Sequence, residues 1–290
     1  MHIQVIPDIC AGNFFILNEK VQEKSRFPDK IAHDETVFYE VLKIENGVPL
    51  FTADHLDRLM ESLRNKGAAN FPPVALISDN MRLLITHNNK PDKGNIRILL
   101  RYKGGLDKSP DILCHFAPHY YPSDDERHSG VKLVLANAER INVHSKIVNT
   151  GFREAIERKI RQGKAYEALL VSRQGQITEG SKSNFFAVRG NKVLTPPEED
   201  VLPGITRKYI IEICRNSGIE IAEQRIHKSE LTSFESCFIT GTSPGILAVR
   251  KIGSIDFNPA NPVLKSLSAK YRLLVDRYIE LNKSQYLNAI

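Results

Sequence analysis

Three stretches of the chain could do chemistry together. In order they are a lysine in His144-Ser145-Lys146-Ile147-Val148-Asn149, a glutamate in Thr178-Glu179-Gly180-Ser181-Lys182-Ser183-Asn184-Phe185-Phe186, and a glycine turn in Leu202-Pro203-Gly204-Ile205-Thr206-Arg207. A lysine becomes an imine-forming nucleophile when desolvation or nearby positive charge lowers its pKa. Ile147 and Val148 beside Lys146 are apolar, and the segment joins a polar stretch to a helix, so partial burial is open to it, although most lysines are solvated. Glu179 lies after a turn at Gln174-Gly175 and before a strand, among small polar residues where a sheet edge opens into a cleft. A carboxylate there suits a bound group better than open solvent. Gly204 allows a tight turn, Ile205 and Thr206 present free amides, and the following helix aims its positive end at an anion such as phosphate. Each feature alone also has a bland reading: a surface lysine, a surface turn, an ordinary helix start.

The elements that must hold these groups follow from periodicity. Phe14 to Leu17 opens a strand pair, Thr36 to Ile44 is β-rich, Asn46-Gly47 is a hairpin turn signal, and Val48 to Phe51 returns. Thr52 or Asp54 then caps a helix with Leu56, Leu59, Met60 and Leu63 on its apolar stripe, ended by Gly67; Arg58 lies off that stripe. A second helix follows Pro72-Pro73, with Val74, Ile77, Met81, Leu84 and Ile85 as its core face. Strands are expected at 95–102, 111–116, 131–136, 167–171 and 184–188, and within 219–226, 237–240 and 246–249. Helices are expected at 152–161, 207–217 and 262–282. Residues 117–130, with two prolines and no periodicity, read as an interdomain linker. Strands mix with helices without regular βαβ alternation, which predicts an α+β fold in two parts, 1–117 and 131–290, joined by a linker at 118–130.

In order and wording these motifs resemble the fold-type IV (class IV) pyridoxal-phosphate-dependent aminotransferases, the group of branched-chain and D-amino-acid aminotransferases and aminodeoxychorismate lyases. Lys146-Ile147-Val148-Asn149 matches the Lys-x-x-Asn context of the family's cofactor lysine, and the Thr178 to Phe185 run matches its Thr/Ser-Glu-Gly-x-x-x-Asn signature. His55-Leu56-Asp57-Arg58-Leu59 matches His-x-x-Arg-Leu, and Thr240-Gly241-Thr242-Ser243 is similar to the phosphate cup. The resemblance implies pyridoxal 5'-phosphate held as a Schiff base on Lys146, with Glu179 at the pyridine nitrogen, where an acid keeps the ring protonated. It further implies Leu202 against the ring, and Arg58, Gly204, Ile205, Thr206, Gly241 and Thr242 around the phosphate. A small N-terminal α/β domain, a larger C-terminal domain and a homodimer are implied as well. Replacing Arg58 or Thr242 should then weaken cofactor retention with little loss of core stability.

The substrate side departs from the family. Thr150 follows Lys-x-x-Asn where relatives carry tyrosine or arginine, Lys103 to Asp107 lacks an Arg-x-His pair, and Ala32-His33-Asp34-Glu35-Thr36 replaces the usual Arg-Gly-x-x-Phe-Gly-Asp segment. Tyr39 matches a pocket tyrosine. Arg97 and Arg101 share one strand face, either as a carboxylate clamp or as a solvated surface. The expected reaction is amino transfer between an amino acid and a 2-oxo acid, with Tyr39, Arg97 and Arg101 toward the substrate. The alternative is an aminodeoxychorismate lyase that releases pyruvate.

Composition narrows the remaining classes. With 290 residues, 41% hydrophobic and 26% charged, the chain resembles an ordinary soluble globular protein. A net charge of +6 admits nucleic acid, but basic residues alternate with acids (Asp57-Arg58, Glu157-Arg158, Asp276-Arg277) and no aromatic-interleaved basic run occurs. No apolar run approaches the about 18 residues of a membrane span. The start, Met1 to Asp8, has no basic n-region or long apolar core. The four cysteines are far apart, without a Cys-x-x-Cys pair, and read as buried reduced thiols. A cytoplasmic enzyme is expected, with no metal, nucleic-acid or membrane partner.

Overall fold

A computed structural model of the chain describes residues 4–5, 9–28, 30–31, 35–140 and 144–287. Ala32, His33 and Asp34, part of the segment that departs from the family, lie outside the described residues, as do most of Met1 to Asp8 and the side chain of Thr150. The chain forms two compact units. One comprises Met1–Tyr120, Ser145–Thr150 and Val275–Ile290; the other comprises Tyr121–His144 and Gly151–Leu274.

In the first unit, β1 (Gln4–Val5) pairs with β4 (Lys30–Ile31) as a separate ladder. The main sheet has six antiparallel strands: β2 (Phe14–Leu17), β3 (Lys20–Glu23), β5 (Glu35–Glu45), β6 (Val48–Pro49), β7 (Lys93–Lys103) and β8 (Asp111–Ala117), in the order β3-β2-β8-β7-β5-β6. Asn46 and Gly47 both take positive φ (51° and 76°), the left-handed pair that a two-residue hairpin turn needs. One sheet face, with Phe38, Leu42, Ile96, Ile98 and Leu100, packs with α1 (Thr52–Asn65) and α2 (Val74–His87). The other face carries Val37, Tyr39, Leu99, Leu113 and Phe15.

Two local expectations need correction here. Helix α1 is not capped by Thr52 or Asp54. Phe51, in the left-handed region at φ 52°, is the N-cap, and the Thr52 amide donates to the Tyr278 hydroxyl at 3.2 Å. A tertiary partner satisfies an amide that a side-chain cap would otherwise take. Val74 is not a core residue of α2; it begins the helix and is 41% exposed, while Ile77, Met81, Leu84 and Ile85 are buried as expected.

Residues 145–149 run beside the free edge of β5. Tyr39 N–H donates to the Lys146 carbonyl (2.9 Å), Val148 N–H donates to the Val37 carbonyl (3.1 Å), and Phe38 and Ile147 form an antiparallel bridge. That edge pairing fixes the lysine segment.

The second unit is built on a ten-stranded mixed sheet. Its strands are β9 (Val131–Asn137), β10 (Glu167–Val171), β11 (Gln176–Gly180), β12 (Asn184–Arg189), β13 (Lys192–Thr195), β14 (Glu220–Glu223), β15 (Ile226–His227), β16 (Ser236–Gly241), β17 (Gly245–Ile252) and β18 (Ile255–Asp256). They run β14-β13-β12-β16-β17-β9-β10-β11-β15, with β18 on β17. Helix α3 (Asp124–Ser129) lies within the stretch read as a linker. It opens on a capping box: Ser123 Oγ accepts from Glu126 N–H (3.2 Å), and the Glu126 carboxylate accepts from Ser123 N–H (2.9 Å). Helix α4 (Thr150–Gly163) and α5 (Ile205–Asn216) match expectation closely, and α6 (Pro262–Leu287) runs a turn longer than expected. Phe186 and Phe238 stack at 4.8 Å in the core shared with α5 and Leu264 and Leu267 of α6.

The four cysteines are buried and free of disulfides. Among the described residues no helix is long and apolar enough to cross a membrane, and no group of three or more His, Cys, Asp or Glu could hold a metal ion.

Candidate active site

In the first unit the chemistry gathers around a residue not singled out in the sequence. Glu40, on β5, is fully buried on the face that packs with α1. Arg58 donates from Nε to Oε1 and from Nη2 to Oε2, each at 2.8 Å. His55 Nδ1 is 2.9 Å from Oε2, and Lys146 Nζ is 3.9 Å from the same oxygen. Burial alone would raise the Glu40 carboxyl, but the charges of Arg58 and Lys146 and the hydrogen bonds from His55 and Arg58 hold it well below the usual carboxylate range. Burial is also the largest influence on His55 and lowers its pKa, favouring the neutral ring, with Glu40 pulling the other way.

Lys146 is therefore a half-buried lysine with apolar and charged neighbours. Its side chain is 13% exposed, and Nζ lies 5.0 Å from the centre of the Tyr39 ring. Ser62, one turn beyond Arg58 on α1, anchors the segment: its Oγ accepts from Lys146 N–H at 3.4 Å and donates to the Arg58 carbonyl at 2.9 Å. Arg58 itself is 6% exposed. The alternative of a solvated helix arginine is thus corrected: a carboxylate on the facing strand draws the guanidinium inward.

Arg97 and Arg101 do share a face, and it is not a solvated one, since each is 8% exposed. The Arg97 guanidinium stacks 4.8 Å from the centre of the Tyr39 ring. Arg101 is gripped by Glu35, with Nε to Oε2 at 3.1 Å and Nη2 to Oε2 at 2.8 Å. Tyr39 therefore lies between Arg97 and Lys146, whereas Arg101 is engaged by Glu35 at the start of β5.

The second unit gathers the other motifs. Glu179 lies inside β11, not in a loop, and is 2% exposed. Arg140 donates from Nε to its Oε1 at 2.6 Å, and the Leu202 amide donates to its Oε2 at 3.1 Å. Asn184 Nδ2 donates to the Leu202 carbonyl at 2.9 Å, which ties the glutamate motif to the Pro203-Gly204 turn. A Cβ on Gly204 would collide with the Asn184 side-chain oxygen, so a larger residue there would have to push that side chain away from the Leu202 carbonyl it binds. Ile205 and Thr206 begin α5, where first-turn amides have no intrahelical acceptor. Asn184 on β12 pairs in register with Thr240 on β16, bringing Gly241 and Thr242 alongside the glutamate motif. Arg207 turns away from the glycine turn and pairs with Glu223 at 2.8 Å.

A second buried carboxylate lies beneath this motif. Glu167 Oε1 accepts from the Lys182 amide (2.5 Å) and the Ser183 hydroxyl (3.0 Å). Burial raises its pKa, with the Lys182 amide and Ser183 hydroxyl only partly offsetting the rise.

Three groups escaped sequence reasoning. Glu40 had a usable signal: it alternates with Phe38 and Leu42 on a core-facing strand row, where a charge must find a partner. Glu167 had a weaker one, at the head of an apolar strand. Arg140 had none, lying in a polar stretch without periodicity.

Along most of its length the chain is similar to known proteins. Residues 37–252 match the amino-transferase class IV family. D-alanine aminotransferase of Bacillus licheniformis is 30% identical over 223 residues, covering 74% of this chain and 78% of that protein. The branched-chain amino acid aminotransferase of Escherichia coli superposes with a TM-score of 0.81 at 21% identity, over 91% of this chain and 95% of that one. A putative 4-amino-4-deoxychorismate lyase of Legionella pneumophila superposes with a TM-score of 0.75 at 21% identity, over 86% and 97%. The last two likenesses speak for the fold alone. Through its matched residues and its relatives, the chain belongs to the class IV aminotransferase family, and it is a transaminase on the fold-type IV scaffold of pyridoxal-phosphate enzymes.

Proposed function

We propose that this transaminase carries pyridoxal 5'-phosphate on Lys146 and moves an amino group between an amino acid and a 2-oxo acid. The observation that supports this most is the half-buried Lys146 amine beside the Glu40–Arg58 pair and the Tyr39 ring. The donor chemistry fits the cofactor. The half-buried Lys146 amine suits an imine link, while the Arg58 guanidinium, the first-turn amides of Ile205 and Thr206, and the Gly241-Thr242 turn suit a phosphate. Buried Glu179, oriented by Arg140 and the Leu202 amide, suits a protonated ring nitrogen, and Leu202 suits the ring face. When bound, the cofactor supplies an electron sink for the substrate's α-carbon.

The chain's own groups do the rest. With the cofactor bound, Lys146 Nζ would take the substrate's α-proton as general base. Glu179 keeps a proton at the ring nitrogen. Arg58 takes part of the phosphate charge, and Thr242 donates its hydroxyl. Tyr39 with Arg97 receives the substrate carboxylate; Arg101, already held by Glu35, sets the charge farther along that face. The working form is a cytoplasmic homodimer.

Borohydride should fix the cofactor onto Lys146, and peptide mass spectrometry that finds the adduct on another lysine would sink the assignment. A screen of L- and D-amino acids one at a time, each followed by the loss of the visible cofactor band, tests the reaction and its handedness. If none converts the band but aminodeoxychorismate releases pyruvate, the lyase alternative replaces it.

A further inference from the structure

We propose that Glu40 is a positioning residue for Lys146 and Arg58, its buried carboxylate aligning the arginine fork and holding the lysine amine beside the Tyr39 ring. The inference rests on the reading of Lys146 as the reactive amine. A plain structural ion pair needs one cation, whereas Glu40 meets groups from two separate segments: Arg58 and His55 from α1, and Lys146 from the edge segment. Arg58 gives two donors to the two carboxylate oxygens, which fixes the plane of its guanidinium.

The lysine is held differently. At 3.9 Å its amine feels the Glu40 carboxylate as a charge and not as a hydrogen-bond partner. Among the described residues, the charged and titratable groups around the two include Arg58, His55, Tyr39 and, at the Tyr39 ring, Arg97. Arg58 disfavours a proton on the Lys146 amine and Glu40 favours it. Glu40 thereby makes Lys146 a stronger base than the arginine alone would leave it. Because the carboxyl itself is held strongly acidic, Glu40 stays ionised and accepts no proton.

The test compares wild type, Glu40→Gln and Glu40→Asp as full-length chains stripped of cofactor. Each is acetylated over a range of pH, and the Lys146 peptide is quantified by mass spectrometry, with circular dichroism to establish folding. Glu40→Gln should lower the midpoint of Lys146 acetylation by roughly one pH unit or more, and Glu40→Asp, which keeps the charge but withdraws it, should fall in between. A Lys146 midpoint in folded Glu40→Gln that coincides with wild type overturns the proposal. If Glu40→Gln does not fold, Glu40→Asp decides: a lowered midpoint supports it and an unchanged one overturns it. A borohydride adduct on Lys146 with no midpoint shift defeats this inference alone. An adduct elsewhere with a shifted midpoint defeats the cofactor assignment and leaves the Glu40 contact standing.

Discussion

Glu40 and Glu167 are both buried glutamates on strands, one in each unit, and their proton affinities move in opposite directions. Burial pushes both up. Around Glu40 that push is outweighed by Arg58 and Lys146, two full charges from a helix and an edge segment. Around Glu167 the closest partners are an amide and two serine hydroxyls, and the Lys182 charge adds to them without outweighing burial. Burial thus says little about charge until the partners are counted. The first unit gathers a knot of charged side chains around Glu40; in the second unit, a cradle of a backbone amide and hydroxyls meets Glu167 beside Gly180.

The balance around Glu40 depends most on Arg58. Arg58→Ala leaves Glu40 buried without its main counter-charge and should cost about 3–5 kcal/mol of stability, read from denaturant unfolding. Loss of less than about 1 kcal/mol would mean that the carboxylate relaxes or protonates freely. This replaces the expectation that Arg58 could be removed with little effect on the core.

Gly180→Ala probes the cradle by volume instead of charge. Its Cβ would meet Ser183 Oγ at 2.1 Å and Glu167 Oε1 at 2.5 Å, so a loss of about 1–3 kcal/mol is expected. An unchanged melting temperature would show that the motif can shift without penalty.

Smaller effects sharpen the contrast. Glu167→Gln keeps an acceptor for the Lys182 amide and should change stability by no more than about 1 kcal/mol at neutral pH, whereas Glu40→Gln should cost more because it strands Arg58. Urea melts of the two variants compare them directly.

The smallest effect is in the pH profile, and its sign differs between the two residues. Glu40 is depressed below the ordinary 4.5, so its contribution is complete above 4.5 and lost as pH falls through its folded value. His55, depressed below 6.5, is likewise stabilising above 6.5 and loses that contribution as pH falls through its folded value. Glu167 is raised above 4.5, so its contribution is complete below 4.5 and lost as pH rises through its folded value. Glu167→Gln should therefore flatten the alkaline-side slope, and Glu40→Gln the acid-side slope. Identical slopes in both variants would contradict the assignment.

Much of this architecture is legible in the sequence where local rules act alone. Asn46-Gly47 dictates its turn, Pro72-Pro73 announces α2, and Gly218 ends the helix before it. Legibility fails where a distant partner decides. Arg58 falls off the apolar stripe of α1, and only Glu40 on another element draws it inside. Glu179 reads as part of a polar opening because the residue pointing inward from β11 is itself a glutamate, so alternation with Ile177 is hidden. Phe51 is a poor cap by residue type, and its role depends on Tyr278 from the far end of the chain.

The edge pairing of Lys146 has a consequence for how the chain is made. Val37 to Tyr39 wait for partners from residues 146–148, which leave the ribosome only after the whole of the first unit's sheet. Until then β5 presents an open, apolar edge able to recruit a strand from another nascent chain. The lysine segment is thus a late-arriving seal, and a fragment ending at residue 120 should aggregate through the strand that Lys146 would have covered.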